Sequence, residues 1–335
     1  MPVIIDRDDV LGIHQRFEKA NAVVPVFCAD GPEDIEMGQI AVRDYSRRYG
    51  IEHPALGVSL TVDYPDMSQA ARYFRCGDKI AGVKAFLSFL DILCGKGGPY
   101  SEISVIPNLD HSDVQGEEYL WQQFGRNFGT VLIDGSLRDR TFDENMELTA
   151  AAVKRYGSLF VVEACPFRPP VEGAHQSHAF DELRTPEDYA SKVRGYLQAT
   201  GADYCVAELG SAQQSTGWGN YKPEVAQAVT AALNGKHRLV LHGGSSIPPA
   251  QMESLGYDGI SRFNIWTRPA RESAQAGARA VIEAQDIILN QSDAPAEGPK
   301  QLYRTRFRDA YVDQGALSFG EILEKQQYRR LADVA

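Results

Sequence analysis

A TIM (β/α)8 barrel is the fold class the sequence predicts, with a helix ahead of the first strand and a helical extension after the last. Three observations carry it. Eight short β-prone runs alternate with longer stretches of helical periodicity. One of them, Leu239 to Leu241, is apolar throughout and bounded by polar and Gly residues, as a strand of a parallel sheet covered on both faces is. Residues with chemistry to offer (Asp110, His111, Asp134 and His242) follow directly on the apolar runs, and the C-terminal strand ends are where barrel active sites lie. The expected organisation is a barrel over 1–290 and a helical extension over 291–335, packed on the barrel or on a neighbouring subunit.

Taken in order, Val10, Leu11, Ile13 and Phe17 share helical spacing and form a helix that plugs the barrel bottom. Residues 22–28 read as strand one in spite of Pro25, and residues 32–49 as a helix with an acidic start. Strand two covers 55–61, followed by a helix over 79–93 with a broad apolar face. Strand three, 102–111, ends in Asp110-His111, and strand four, 129–134, ends in Asp134. Strand five, 158–165, sets Glu163 among apolar residues, where an unpaired carboxylate is costly, so a partner is expected. Residues 166–184 have no periodicity and read as a loop or lid carrying His175 and His178. Thr185-Pro186-Glu187-Asp188 supplies an N-cap, an N1 proline and an acidic first turn for the next helix. Strand six covers 202–209, strand seven Leu239 to Leu241, and strand eight Ile260 to Ile265 before a long closing helix. The linker over 293–298 is rich in Pro, Ala and Gly, and a helix follows from about 301 to 330.

Composition bounds the function. Hydrophobic residues make up 43% and charged residues 24%, a balance that supports a full core. The net charge of −11 argues against a broad nucleic-acid surface, which requires clustered positive charge. Five cysteines stand apart without a CxxC pair, so neither a zinc ribbon nor a disulfide framework is indicated. Reduced thiols fit a cytoplasmic protein. No apolar run reaches membrane-spanning length, and no basic segment precedes an apolar one at the N-terminus.

Two stretches concentrate the chemistry. In residues 238–248 a buried strand stops at His242, and Gly243, Gly244 and Ser245 follow as a loop whose backbone N–H groups suit an anion. A Gly-Ser loop with a hydrogen-bonded histidine is the bland reading of the same residues. In Asp110-His111, an adjacent carboxylate and imidazole reach one site where the strand breaks, one as acid or base and the other as metal ligand. Cys28, Cys76, Cys94 and Cys205 read as packing residues, and His14, His53 and His237 as surface or helix-end groups.

Four ordered segments give the chain a resemblance to the class II, metal-dependent fructose- and tagatose-bisphosphate aldolases. They are Asn108-Leu-Asp-His-Ser112, Val131-Leu-Ile-Asp-Gly-Ser136, Leu239-Val-Leu-His-Gly-Gly-Ser245 and Phe263-Asn-Ile-Trp-Thr267. The resemblance spans about 24–267 and is specific in strands three, four and seven. It implies aldol cleavage of a phosphorylated ketose, a soluble homodimer or homotetramer, and a divalent ion, most often zinc. Asp110 takes the position of the proton-transfer residue, and His111 and His242 those of two zinc ligands. Gly219, Gly243, Gly244, Ser245, Asn264, Trp266 and Thr267 take the positions that hold the phosphorylated half of the substrate. Asp134 and Cys165 fall where two carboxylates of the family attend an alternate metal position.

The chain departs from that pattern after strand six. The third zinc histidine is missing: alignment from the strand puts Gln213 in its place, and alignment back from Gly219-Asn-Tyr-Lys222 puts Trp218 there. Gln213, Glu208, Cys165, His175 and His178 all stand as candidates for the third ligand. The loss keeps two further readings open, a metal-independent proton-transfer enzyme on the same barrel and a non-catalytic sugar-phosphate-binding relative.

Overall fold

The computed structural model describes residues 3–64, 67–138, 140–168, 171, 183, 185–215, 217–289 and 299–334. Eight parallel strands close in sequence order: β1 (Val24–Cys28), β2 (Ala55–Thr61), β3 (Ser104–Asp113), β4 (Thr130–Asp134), β5 (Val161–Ala164), β6 (Tyr204–Val206), β7 (Leu239–Leu241) and β8 (Ile260–Ile265). Pairing of Val24 with Arg262 and of Val26 with Asn264 joins β8 back to β1. The helices are α1 (Arg7–Lys19), α2 (Pro32–Tyr49), α3 (Gln69–Arg72), α4 (Lys79–Cys94), α5 (Glu118–Phe124), α6 (Phe142–Tyr156), α7 (Pro186–Thr200), α8 (Pro223–Ala232), α9 (Thr267–Glu283), α10 (Gln285–Ile288) and α11 (Pro299–Lys325). The predicted barrel is therefore present, with its leading helix and its extension.

The termini of several elements follow local chemistry. Thr141 and Glu144 form a reciprocal capping box at the start of α6. Thr185 accepts from Asp188 N, with Pro186 in the first turn of α7. Strands five and six are shorter than the sequence suggests: residues 158–160 and 165 lie outside β5, and 202–203 and 207–209 outside β6. The proline pair after the glycine loop starts a 3-10 helix, Pro249–Ser254, in place of an α-helix.

Within the barrel the side chains form tiers. At the bottom, Val10 of α1 packs with Ile106, Leu132, Val161, Val206 and Val240 in a cluster separate from the main core. The helix is anchored there by Arg7, which bonds Phe160 O at 3.0 Å and Asp203 at 2.6 Å. His14, expected near the surface, is instead 2% exposed, with its Nδ1 2.8 Å from Ser261 Oγ. Burial pushes its pKa down to about 3, so it packs as a neutral ring. Above this tier lies a polar one. Arg262 of β8 reaches Glu163 of β5 and Thr130 of β4, while Asn108 bridges Thr130 and Ser59. Glu163 thus has the partner its apolar surroundings demand.

The extension wraps its own barrel. In α11, Val312, Ala316, Phe319, Ile322 and Leu323 are buried, and the helix packs on α2 and α9. Gly315 permits the approach, since a Cβ there would lie 2.0 Å from Met37 Sδ. Tyr45 and Tyr49 both bond Glu324, and Tyr328 caps β2 by donating to Ala55 O at 2.8 Å. The expected boundary at 290/291 lies outside the described residues. Among the described residues no helix is long and apolar enough to cross a membrane.

Candidate active site

The open end of the barrel gathers Asp110, His111, Asp134 and His242, each at or just beyond the C-terminal end of a strand. Adjacent strand residues normally face opposite ways. Asp110 and His111 share one site because β3 is irregular here. Its register against β4 shifts between Leu109 and Ser112, and His111 has a φ of +45°, a value uncommon for a non-glycine residue. The strand continues past this irregularity to Asp113 instead of ending at His111.

His111 is held from both sides. Its Nδ1 lies 2.7 Å from Asp134 Oδ2, and Asp134 Oδ1 accepts from Ser136 N at 2.9 Å and Ser136 Oγ at 2.5 Å. Burial acts to lower the His111 pKa, but the charges of Asp110 and Asp134 and the bond to Asp134 outweigh it and raise the value. For Asp134, burial acts upward, yet the His111 contact and the Ser136 donors bring its pKa below the usual carboxylate value. The carboxylate therefore fixes the Nδ1 proton, and Nε2 offers its lone pair in the neutral ring.

That lone pair faces His242 Nδ1 at 3.2 Å. Burial lowers the His242 pKa to about 4, against the opposing charge of Asp110, so this ring is neutral at physiological pH. Its Nε2 lies 3.1 Å from Asn264 Nδ2 and 3.9 Å from Asp110 Oδ1, and its backbone oxygen accepts from Ser211 Oγ at 2.6 Å. Arg262 Nε bonds Asn264 Oδ1 at 3.2 Å, so the polar tier below sets the orientation of this amide. Asp110 is 4% exposed, and its Oδ1 has no hydrogen-bond partner among the described residues.

Gln213 completes a triangle with the two imidazoles: its amide nitrogen lies 3.0 Å from His111 Nε2 and 3.4 Å from His242 Nδ1. Trp218, the other residue that alignment offers for this place, is 62% exposed on the surface. Tetrahedral zinc with ligand bonds of about 2.0–2.1 Å separates its ligand atoms by about 3.3–3.4 Å. The two imidazole nitrogens, 3.2 Å apart, match one edge of that polyhedron, and the Gln213 amide stands 3.0 and 3.4 Å from them with its nitrogen inward. The donor set thus fits a small divalent ion, with the Asp134 carboxylate orienting one histidine from behind.

The remaining expected residues divide. Asp110, His111 and His242 form one group of potential ligands, and His111, Asp134 and Cys165 another. Cys165 is fully buried, and burial pushes its thiol pKa well up. Glu208 is 8% exposed and stands in neither group. His175 and His178 lie outside the described residues. Gly243, Gly244, Ser245, Asn264, Trp266 and Thr267 line the same cavity as Asp110 and the two histidines. Gly219 sits behind the glycine loop and not on the cavity wall, its N–H donating to Ser246 O at 2.6 Å. Sequence reasoning did not single out Tyr64, Gln69 or Thr61. Tyr64 OH bonds Gln213 Oε1 at 3.3 Å, and its ring packs 4.5 Å from that of His111. Gln69 and Thr61 bond each other at the cavity wall. Their only signal was position, since each lies at the end of strand two or in the segment that follows.

The sequence profile of the family described as Fructose-bisphosphate aldolase class-II matches residues 67–314. The sulfofructosephosphate aldolase of Alkalicoccus urumqiensis is 23% identical over 239 residues, covering 67% of this chain and 77% of that protein. Among solved structures, the fructose-bisphosphate aldolase of Campylobacter jejuni superposes with a TM-score of 0.72 at 15% identity, covering 97% of this chain and 96% of that one. The YdjI aldolase of Escherichia coli K12 gives 0.59 at 20% identity, covering 96% and 97%. At these identities the structures establish the shared fold.

Proposed function

Because the chain belongs to the class-II fructose-bisphosphate aldolase family, we propose that it cleaves a phosphorylated ketose by a reversible aldol reaction, with a divalent ion held by His111 and His242. The observation that carries this reading is the buried Asp110 oxygen without a hydrogen-bond partner among the described residues, set 3.9 Å from His242 Nε2 at the wall of the same cavity. A buried carboxylate oxygen without a hydrogen bond is costly, and work on a substrate proton accounts for it. The ion, when bound, supplies a Lewis acid for the negative charge that develops on the substrate.

The chain's own groups do the rest. Asp110 takes the proton of the hydroxyl on the carbon β to the ketose carbonyl. The bond between the α and β carbons then breaks and the aldehyde leaves. The remaining fragment is reprotonated at the α carbon. Gly243, with φ +68°, and Gly244 and Ser245 of the 3-10 turn that follows provide backbone N–H groups for the phosphate, while Ser246 N bonds Gly243 O. Trp266 Nε1 is buried without a partner among the described residues and offers another donor. Zinc is the ion that two imidazoles favour, although cobalt and manganese fit the same geometry.

The direct contact of His111 with His242 favours a second reading, in which the two rings and Asp110 transfer protons without an ion. Chelation separates the two. Incubation with a panel of ketose monophosphates and bisphosphates, with triose phosphate release as readout, should show turnover that chelator abolishes and zinc, cobalt or manganese restores. Absence of aldehyde release from the metal-loaded protein across the panel overturns the aldolase reading. Turnover that survives chelation moves the assignment to the ion-free one.

A further inference from the structure

We infer that Gln213 is the third protein ligand of the ion, through Oε1, and that its amide turns end for end when the ion binds. The inference rests on the proposed ion at His111 and His242. Three observations carry it. The amide nitrogen now stands 3.0 Å from His111 Nε2 and 3.4 Å from His242 Nδ1. Gln213 is 9% exposed, and a backbone bridge to Val171 fixes where its side chain starts. Tyr64 OH stands 3.3 Å from the other end of the amide. A phenol both donates and accepts, so it serves either orientation: it donates to Oε1 in the ion-free protein and accepts from Nε2 once Oε1 faces the ion.

Asp110 groups with both histidines, but its Oδ1 meets His242 at Nε2, the nitrogen opposite the Nδ1 that faces His111 Nε2; the other described competitors are placed less well. Cys165 and Asp134 group with His111 but not with His242, and the Asp134 oxygens are already occupied by His111 and Ser136. Glu208 belongs to neither group. Loading has a cost within the same set of contacts. His242 must carry its proton on Nε2 to offer Nδ1, so Asn264 turns its carbonyl to that proton and gives up its bond to Arg262 Nε. A neutral amide oxygen is also a weaker donor to zinc than imidazole. Both effects make the site looser than one with three histidines.

The test is metal titration of the purified, metal-free full chain with zinc and cobalt, in the absence of substrate. Gln213→Leu should weaken zinc binding by about tenfold or more, and Gln213→His should tighten it by a similar factor. The cobalt spectrum of the parent should lack a thiolate charge-transfer band. Unchanged affinity in Gln213→Leu overturns the inference, as does a thiolate band that Cys165→Ser removes. So does a loss of affinity in His175→Ala or His178→Ala that Gln213→Leu does not share. Thermal melts confirm that each variant is folded. The titration reads ligation without turnover, so absence of aldol cleavage would sink the proposed function and leave this result standing.

Discussion

Arg262 and Glu163 form an ion pair across the barrel interior, from β8 to β5, with side-chain exposures of 2% and 1%. The guanidinium also holds Thr130 at 3.0 Å and Asn264 at 3.2 Å, which links the pair to the amide facing His242. Burial lowers the Arg262 pKa to about 10, so the residue stays charged at neutral pH. Removing one partner strands the other charge in a dry interior. Glu163→Leu should therefore cost about 3–5 kcal/mol in denaturant unfolding. The double variant Glu163→Leu with Arg262→Met should recover a large part of that loss, because no charge remains to be solvated. A double variant as unstable as the single one would show that packing and not charge sets the cost.

Asp110→Asn provides a separate test of the proton-transfer role. The substitution removes a carboxylate whose Oδ1 has no hydrogen-bond partner among the described residues, so the melting temperature should not fall. Cleavage of the ketose phosphate should drop by about 10²–10⁴-fold, the usual contribution of a positioned acid or base. A folded variant with parental kcat would remove Asp110 from the reaction.

Gly243 bears on the phosphate loop. Its φ of +68° is left-handed, and a Cβ there would lie 2.6 Å from the Ala212 carbonyl. Gly243→Ala should destabilise the protein by about 1–3 kcal/mol from strain and displacement of the loop. Inorganic phosphate at saturation should raise the parental melting temperature through binding to the folded state alone, and the variant should lose most of that rise. Equal shifts in parent and variant would place the anion elsewhere.

How much of this was legible in the sequence depended on whether the signal was local. The runs 55–61, 239–241 and 260–265 coincide with β2, β7 and β8, and 239–241 shows the uninterrupted apolar stretch of a strand buried on both faces. The need of Glu163 for a partner was legible from its neighbours, but the identity of the partner was not, since Arg262 lies 99 residues away. His14 looked like a polar residue on an exposed helix face and became a buried ring only through Ser261 on β8. Asp110 and His111 stood out as a pair, whereas the register shift that turns both toward one cavity depends on pairing with β4. The place of Gln213 against two histidines is likewise a tertiary fact, which sequence alignment left divided between Gln213 and Trp218.

The last prediction concerns pH and the seam between α2 and the extension. Asp34, in the first turn of α2, is 4% exposed and accepts from Tyr311 OH at 2.7 Å and from Asp30 N at 2.8 Å. Burial raises its pKa from the ordinary 3.8 to about 7, against the bonds from Tyr311 and Asp30, and the charges of Asp30 and Glu33 add to the rise. The sign follows from proton counting. Between about pH 4 and 7 the folded chain holds a proton on Asp34 that the unfolded chain has lost, so stability falls as pH climbs through this window and levels off above it. Asp34→Asn is neutral throughout and removes that contribution. From pH 5 to pH 8 the parent should lose stability relative to the variant, by a difference on the order of 2–4 kcal/mol. Denaturant midpoints for both proteins at several pH values measure it. Parallel curves would mean that Asp34 is ionised in the folded protein throughout, with Tyr311 and the helix N-terminus outweighing burial.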